Sequence, residues 1–124
     1  MSLAAPTVSA EQFVDLVVRS EHLVVDFFAP WCAPCQMMAP HFERIARRHA
    51  DMTFVKVDTD EHPELAAALD IQSLPTIMVF RQGVWLCTEV GNQSPGSLRQ
   101  LVGKTQKIDM DAVHAAAVYP MSES

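Results

Sequence analysis

Nowhere in these 124 residues is there an uninterrupted apolar run of the roughly 18 to 20 residues that a membrane-spanning helix requires. No basic segment precedes an apolar one at the start of the chain either, so the reading points to the cytosol and to no membrane partner. Basic charge is scarce. Nine Lys and Arg against fifteen Asp and Glu give a formal net charge of −6 and a sequence pI near 5.2, which argues against nucleic acid as a partner. The nearest approach to a basic cluster is Arg44, Arg47, Arg48 and His49, which at helical spacing reads as a solvated face. Cysteine is limited to three, an odd number that suits a reducing compartment better than a disulfide scaffold. Internal repeats and low-complexity linkers are missing as well.

What is present is enough for one core. At 49% hydrophobic, a chain of 124 residues buries roughly two-thirds of the surface its unfolded form exposes, so no second domain is needed. Ser9 and Gln12 form a capping box ahead of Phe13, Leu16 and Val17, which predicts a helix ending near Ser20. Residues 22 to 28 are almost continuously apolar, the signature of a central parallel strand covered on both faces. A helix is predicted from about Cys35 to Ala50, buried through Met38, Phe42, Ile45 and Ala46, with Pro40 bending a single helix rather than dividing it. Met52 to Asp58 reads as the next strand, and His62 to Leu69 as an Ala-rich helix with Pro63 in its first turn. Thr76 to Arg81, a Gln82-Gly83 turn and Val84 to Val90 read as an antiparallel hairpin, and Pro95 to Gln106 as a closing helix. With an extra strand allowed for near Thr7 and Val8, this order implies an α/β fold, a mixed central sheet flanked by helices on both faces.

The chemistry is concentrated in Trp31-Cys32-Ala33-Pro34-Cys35, which follows directly on the apolar strand. Two cysteines three positions apart in the first turn of a helix can close a small disulfide ring, and the unpaired N–H groups there favour a negatively charged sulfur. A Cys-x-x-Cys is a weak signal by itself, but at a strand-to-helix junction it reads as a redox dithiol. Metal binding is the rival reading. A structural zinc site wants four ligands, and the other candidates are only Cys87 and scattered histidines such as His22 and His41, so no metal is expected.

Over residues 5 to 106 the chain resembles the thioredoxin family. The resemblance is carried, in order, by Val25-Asp26-Phe27, the Trp31-to-Cys35 motif, Pro40, Lys56-Val57-Asp58-Thr59-Asp60, Leu74-Pro75-Thr76 and Val90-Gly91. It implies the thioredoxin fold and a protein disulfide reductase that needs no bound cofactor beyond a redox-active Cys32–Cys35 disulfide. It also implies disulfide-containing target proteins and an NADPH-dependent flavoprotein reductase as partners, with the protein acting as a monomer.

Within that pattern Cys32, nearer the helix start and expected to be the more exposed, is the attacking thiolate. Cys35, one turn deeper, attacks the mixed disulfide and releases reduced target. Asp26, an acid inside an apolar strand, would stay protonated unless compensated. The resemblance implies that it exchanges a proton with the dithiol and that Lys56 tunes it. It likewise implies a cis bond between Leu74 and Pro75, turning the Leu74 backbone outward to pair with an extended target. Trp31, Ala33, Pro34, Ser73, Leu74, Gly91 and Asn92 are expected to form a shallow, mostly apolar platform, with Gly91 equally explained as a position needing backbone room.

Ala33 stands where the family usually has glycine, Phe28 where tryptophan is common, Gln36 where lysine is frequent, and Ser73 replaces a small or apolar residue. Cys87, on the alternation Trp85-Cys87-Glu89, reads as a semi-buried small hydrophobe. Residues 107 to 124 lie beyond the resemblance. Met110, Val113 and Ala117 could line a further helix ended by Pro120, although a frayed extension is the simpler account. Two other functions compete: a disulfide donor or isomerase in an oxidising compartment, and a noncatalytic binding or chaperone module.

Overall fold

A computed structural model describes residues 3–118. In chain order it contains α1 (Ala10–Arg19), β1 (His22–Phe28), α2 (Ala33–Arg48), β2 (Thr53–Asp58), α3 (Pro63–Ala68), β3 (Thr76–Arg81), β4 (Val84–Val90), α4 (Pro95–Gln106) and α5 (Met110–Val118). The sheet order is β2-β1-β3-β4, with β1 parallel to β2 and antiparallel to β3, and β3 antiparallel to β4. This is the expected mixed sheet. β1 is central because its neighbours cover both edges, which is why its side chains are buried on both faces.

Alternation along β1 splits the core into two layers. Val24 joins Met38, Phe42, Phe54, Ile77 and Leu98 on the face covered by α2 and α4. Leu23, Val25 and Phe27 join Phe13, Met78 and Phe80 on the face covered by α1 and α3. Asp26 therefore lies on the α2 face, in step with Val24.

Several boundaries differ from the sequence reading for local reasons. α2 begins at Ala33 rather than Cys35, because Cys32 is the N-cap and Pro34 supplies a proline where no intrahelical N–H is required. One helix runs through Pro40 to Arg48. The allowance near Thr7 and Val8 is met by a single parallel bridge from Thr7 to Lys56, flanked by backbone bonds of 2.9 Å from Val8 to Lys56 and from Lys56 to Pro6, and not by a full strand. The hairpin turns through Gln82 (φ 53°) and Gly83 (φ 82°), the left-handed pair that matches strand twist.

The alternation expected along β4 is broken. Val79 pairs with Cys87 but Phe80 pairs with Trp85, so Leu86 is an extra residue in the ladder. Trp85 and Cys87 consequently face opposite sides. Cys87 is half-buried against the α2/α4 core, as a small hydrophobe would be, whereas Trp85 packs on Phe80 with centroids 6.2 Å apart.

Among the described residues after Gln106, Met110–Val118 form a helix, α5. Met110 is buried, Val113 is half-buried, and the His114 imidazole meets Gln82 Oε1 at 2.6 Å, tying α5 to the hairpin turn. The side chain of Ala117 and all of Pro120 lie outside the described residues.

Candidate active site

β1 ends at Phe28, and the chain turns through Ala29 to Trp31 into the first turn of α2, where Cys32 and Cys35 are joined by a disulfide with their Cα atoms 5.3 Å apart. The backbone N–H of Cys35 donates to Cys32 Sγ at 3.3 Å. An N-cap side chain accepting such a bond is ordinarily Ser, Thr, Asn or Asp. Here sulfur fills the role, so the atom that would carry charge as a thiolate already faces a donor at the positive end of a helix.

Cys32 was expected to be the more exposed sulfur, but the two cysteines are buried almost equally, at 4% and 3% exposure. In the disulfide state the Cys32 sulfur is turned toward Cys35, and the pair packs with Ala29 under Phe28 and Leu74. Exposure does not distinguish them here; position along the helix does.

The residues around the pair divide into platform and support. Trp31 is 70% exposed and is held by its indole N–H, which donates to Asp60 Oδ2 at 2.9 Å. Asp60 is itself fixed by a bond from its N–H to Asp58 Oδ1 at 2.9 Å. Ala33 and Pro34 are exposed on the first turn of α2. From across the sheet, Leu74 packs on the disulfide, the Leu74–Pro75 peptide is cis as expected, and Gly91 N–H donates to the Pro75 carbonyl at 2.8 Å. Gly91 has φ 98°, a conformation that favours glycine whatever its role in binding. Ser73 and Asn92 are exposed beside these anchors.

Beneath the platform, Asp26 is fully buried and neither carboxylate oxygen has a hydrogen-bond partner. Burial raises its pKa to about 7, against a smaller opposing pull from Lys56. Lys56 is the register partner of Asp26 across the β1–β2 pair, with its ammonium 4.5 Å from the centroid of the Phe28 ring. Such a carboxyl can hold or release a proton near neutral pH.

Sequence reasoning did not find the Trp31–Asp60 bond, the bond from Gln36 Nε2 to the Pro30 carbonyl at 2.7 Å, or the contact of Gln93 N–H with Met38 Sδ at 3.4 Å. The first joins residues 29 positions apart, and only the β1–β2 register brings them together. Among the described residues, no group of three or more His, Cys, Asp or Glu is placed to hold a metal ion.

The chain is similar to known proteins in sequence and in fold. The thioredoxin family model matches residues 4–104. A putative thioredoxin 2 of Streptomyces coelicolor is 36% identical over 114 residues, covering 92% of this chain and 85% of that protein. That match must run past Gln106. Thioredoxin 1 of Synechococcus elongatus is 42% identical over 92 residues, covering 73% of this chain and 86% of the relative. Among solved structures, the thioredoxin of Plasmodium falciparum superposes with a TM-score of 0.75 at 35% identity, over 81% of this chain and 97% of that one. A helix-capping disulfide beside the Leu74–Pro75 turn, on a sheet shared with these proteins, makes the chain a member of the thioredoxin family, a protein disulfide reductase whose redox group is the Cys32–Cys35 disulfide itself.

Proposed function

We propose that reduction proceeds by attack of the Cys32 thiolate on one sulfur of a target disulfide, forming a mixed disulfide and expelling the other target sulfur as a thiolate. Cys35 then attacks Cys32 Sγ, which releases the second target thiolate and closes the Cys32–Cys35 bond. Two electrons pass to the target. The observation that supports this division of labour is the bond from Cys35 N–H to Cys32 Sγ at the start of α2, a donor that would favour the charged form of that sulfur.

Asp26 takes the Cys35 proton in the resolving step, and Lys56 adjusts the carboxyl through the field that opposes its burial. Trp31, Ala33, Pro34, Ser73, Leu74, Pro75, Gly91 and Asn92 form the target platform. It is shallow, so affinity comes from the transient covalent bond more than from buried area. An NADPH-dependent flavoprotein thioredoxin reductase returns the pair to the dithiol. The protein works in the cytoplasm as a monomer, with residues 5–106 as the catalytic domain and 107–124 as an extension.

Insulin reduction by the wild-type chain and by Cys32→Ser tests the reading. Loss of activity in the variant supports it. Equal activity would return the protein to the class of binding modules, and a measured dithiol potential well above that of a reductant would make it a disulfide donor.

A further inference from the structure

Nine cations are distributed very unevenly over this acidic protein. The ion pairs of the described residues are Arg19–Asp15, Arg47–Glu43 and Arg81–Glu21, and Lys56 lies over the Phe28 ring. Five cations belong to none of these, Lys104 and Lys107 and three arginines, Arg44, Arg48 and Arg99. The three arginines line one groove of about 160 Å³ between α2 and α4, whose walls are completed by His41, Ile45 and Pro95. Arg44, Arg47 and Arg48 are exposed, as a solvated face requires, but they differ in what they meet. Arg47 is bonded to its carboxylate partner, while Arg44 and Arg48 share a groove with a third arginine 51 positions further along the chain from Arg48.

The electrostatics of the groove are unfavourable as they stand. Glu43 is the one acid in α2, already engaged by Arg47 and by the backbone N–H groups of Ala4 and Ala5, and α4 contains no acid at all. The Arg99 guanidinium lies back over the first turn of α4, where a Cβ added to Gly96 would sit 3.6 Å from one of its nitrogens. A cation at a helix N-terminus opposes the positive end of the macrodipole, and that first turn carries no acidic residue to offset it. In addition, His41 Nδ1 is buried and has no hydrogen-bond partner. Three arginines, each ending in a planar fork of donors, and a histidine line a cleft none of whose lining residues is acidic.

From this we infer that the α2/α4 groove binds a small soluble phosphate compound, its oxyanion held by Arg44, Arg48 and Arg99 beside His41. Guanidinium forks match phosphate oxygens in pairs, and Ile45 and Pro95 add apolar residues to the lining of the groove. The binding is noncovalent and is separate from disulfide exchange, since none of the four residues belongs to the redox site.

The test is titration of the full chain with inorganic phosphate and with pyrophosphate, at an ionic strength held constant with sodium chloride and followed by backbone amide NMR shifts. The expected result is saturable shifts confined to α2 and the first turn of α4, with affinity at least tenfold weaker in Arg44→Gln/Arg99→Gln. Arg19→Gln removes the same kind of charge from α1 and should bind as the wild type does. Insulin reduction should be unchanged in all variants, which verifies folding. Shifts that fail to saturate, equal affinity in the double variant, or equal weakening in Arg19→Gln would each overturn the assignment. Should the double variant not fold, Arg48→Gln alone must weaken binding, and an unaltered affinity there overturns it too.

Discussion

Asp26 and Lys56 face each other across the parallel β1–β2 ladder, yet the lysine ammonium lies over Phe28 and both oxygens of the carboxyl remain without a hydrogen bond. The pair is coupled through its field and not through a contact. That leaves the proton on Asp26 under the control of burial, and burial holds the pKa near 7.

The sign of the stability effect follows directly. Folded Asp26 keeps its proton to about pH 7 whereas the unfolded residue loses it near 3.8, so the folded state binds more protons between those values and stability falls as pH rises through them. The displacement corresponds to on the order of 4 kcal/mol, reached above pH 7. Asp26→Ala should therefore gain stability over wild type progressively from pH 4 to 7 and hold a constant advantage above, less the cost of the small cavity. Urea midpoints across that range would show it. The same variant should reduce insulin about a hundredfold more slowly at neutral pH, the low end of what positioned proton transfer contributes. Kinetics unchanged at every pH would remove the proton-transfer role.

Cys35→Ser separates the two thiols. With the resolving sulfur gone, attack by Cys32 has no intramolecular exit and the mixed disulfide should accumulate with target. Non-reducing electrophoresis of the variant mixed with an oxidised target should display a covalent adduct that dithiothreitol dissolves. The corresponding Cys32→Ser chain should trap far less, since its remaining sulfur lies one turn inside α2.

Much of this was readable from the chain because the signals were local. The capping box at Ser9 and Gln12, the hairpin turn at Gln82 and Gly83, and the apolar run of β1 each depend on neighbours within a few residues, and each is found where the pattern puts it. The α2 start was misplaced by two residues because cysteine is not an expected N-cap. The Trp85–Cys87 alternation failed because a bulge is an insertion in pairing, invisible until a partner strand is specified. Cys32 was expected to be the more exposed of the two cysteines, but both lie in one buried cluster, joined by the disulfide and packed with Ala29. The support of Trp31 by Asp60 and the sharing of one groove by Arg44, Arg48 and Arg99 depend on tertiary packing alone.

At the end of the sheet away from the disulfide, Arg81 binds the last turn of α4. One guanidinium nitrogen donates to the carbonyls of Thr105, Gln106 and Ile108 at 3.1 to 3.3 Å. These are the acceptors a helix leaves unpaired at its C-terminus, and a cation there is favoured by the dipole. Arg81→Ala should destabilise the fold by about 2 to 4 kcal/mol, as charge-assisted bonds to three carbonyls are lost. Arg81→Lys should recover less than half, because an ammonium cannot reproduce the fork. Denaturant midpoints at unchanged slope would measure both.

The same end of the molecule decides what α5 does. Met110 is buried there, Asp109 Oδ1 accepts the Ala112 N–H at 3.2 Å at the helix start, and His114 reaches Gln82 in the β3–β4 turn. That turn follows Arg81, which pairs with His22 at the first residue of β1, whereas the disulfide lies beyond the last residue of β1. α5 is therefore anchored a full strand length from the redox pair. Removing residues 109–124 should cost stability of about 1 to 2 kcal/mol, the burial of one methionine less the entropy released by an unfixed helix. Insulin reduction by the shortened chain should match the full one, because α5 is anchored at the end of the sheet away from Cys32 and Cys35. A large fall in reduction at unaltered stability would instead place the extension in target binding, and a large fall in both would make α5 part of the folding unit.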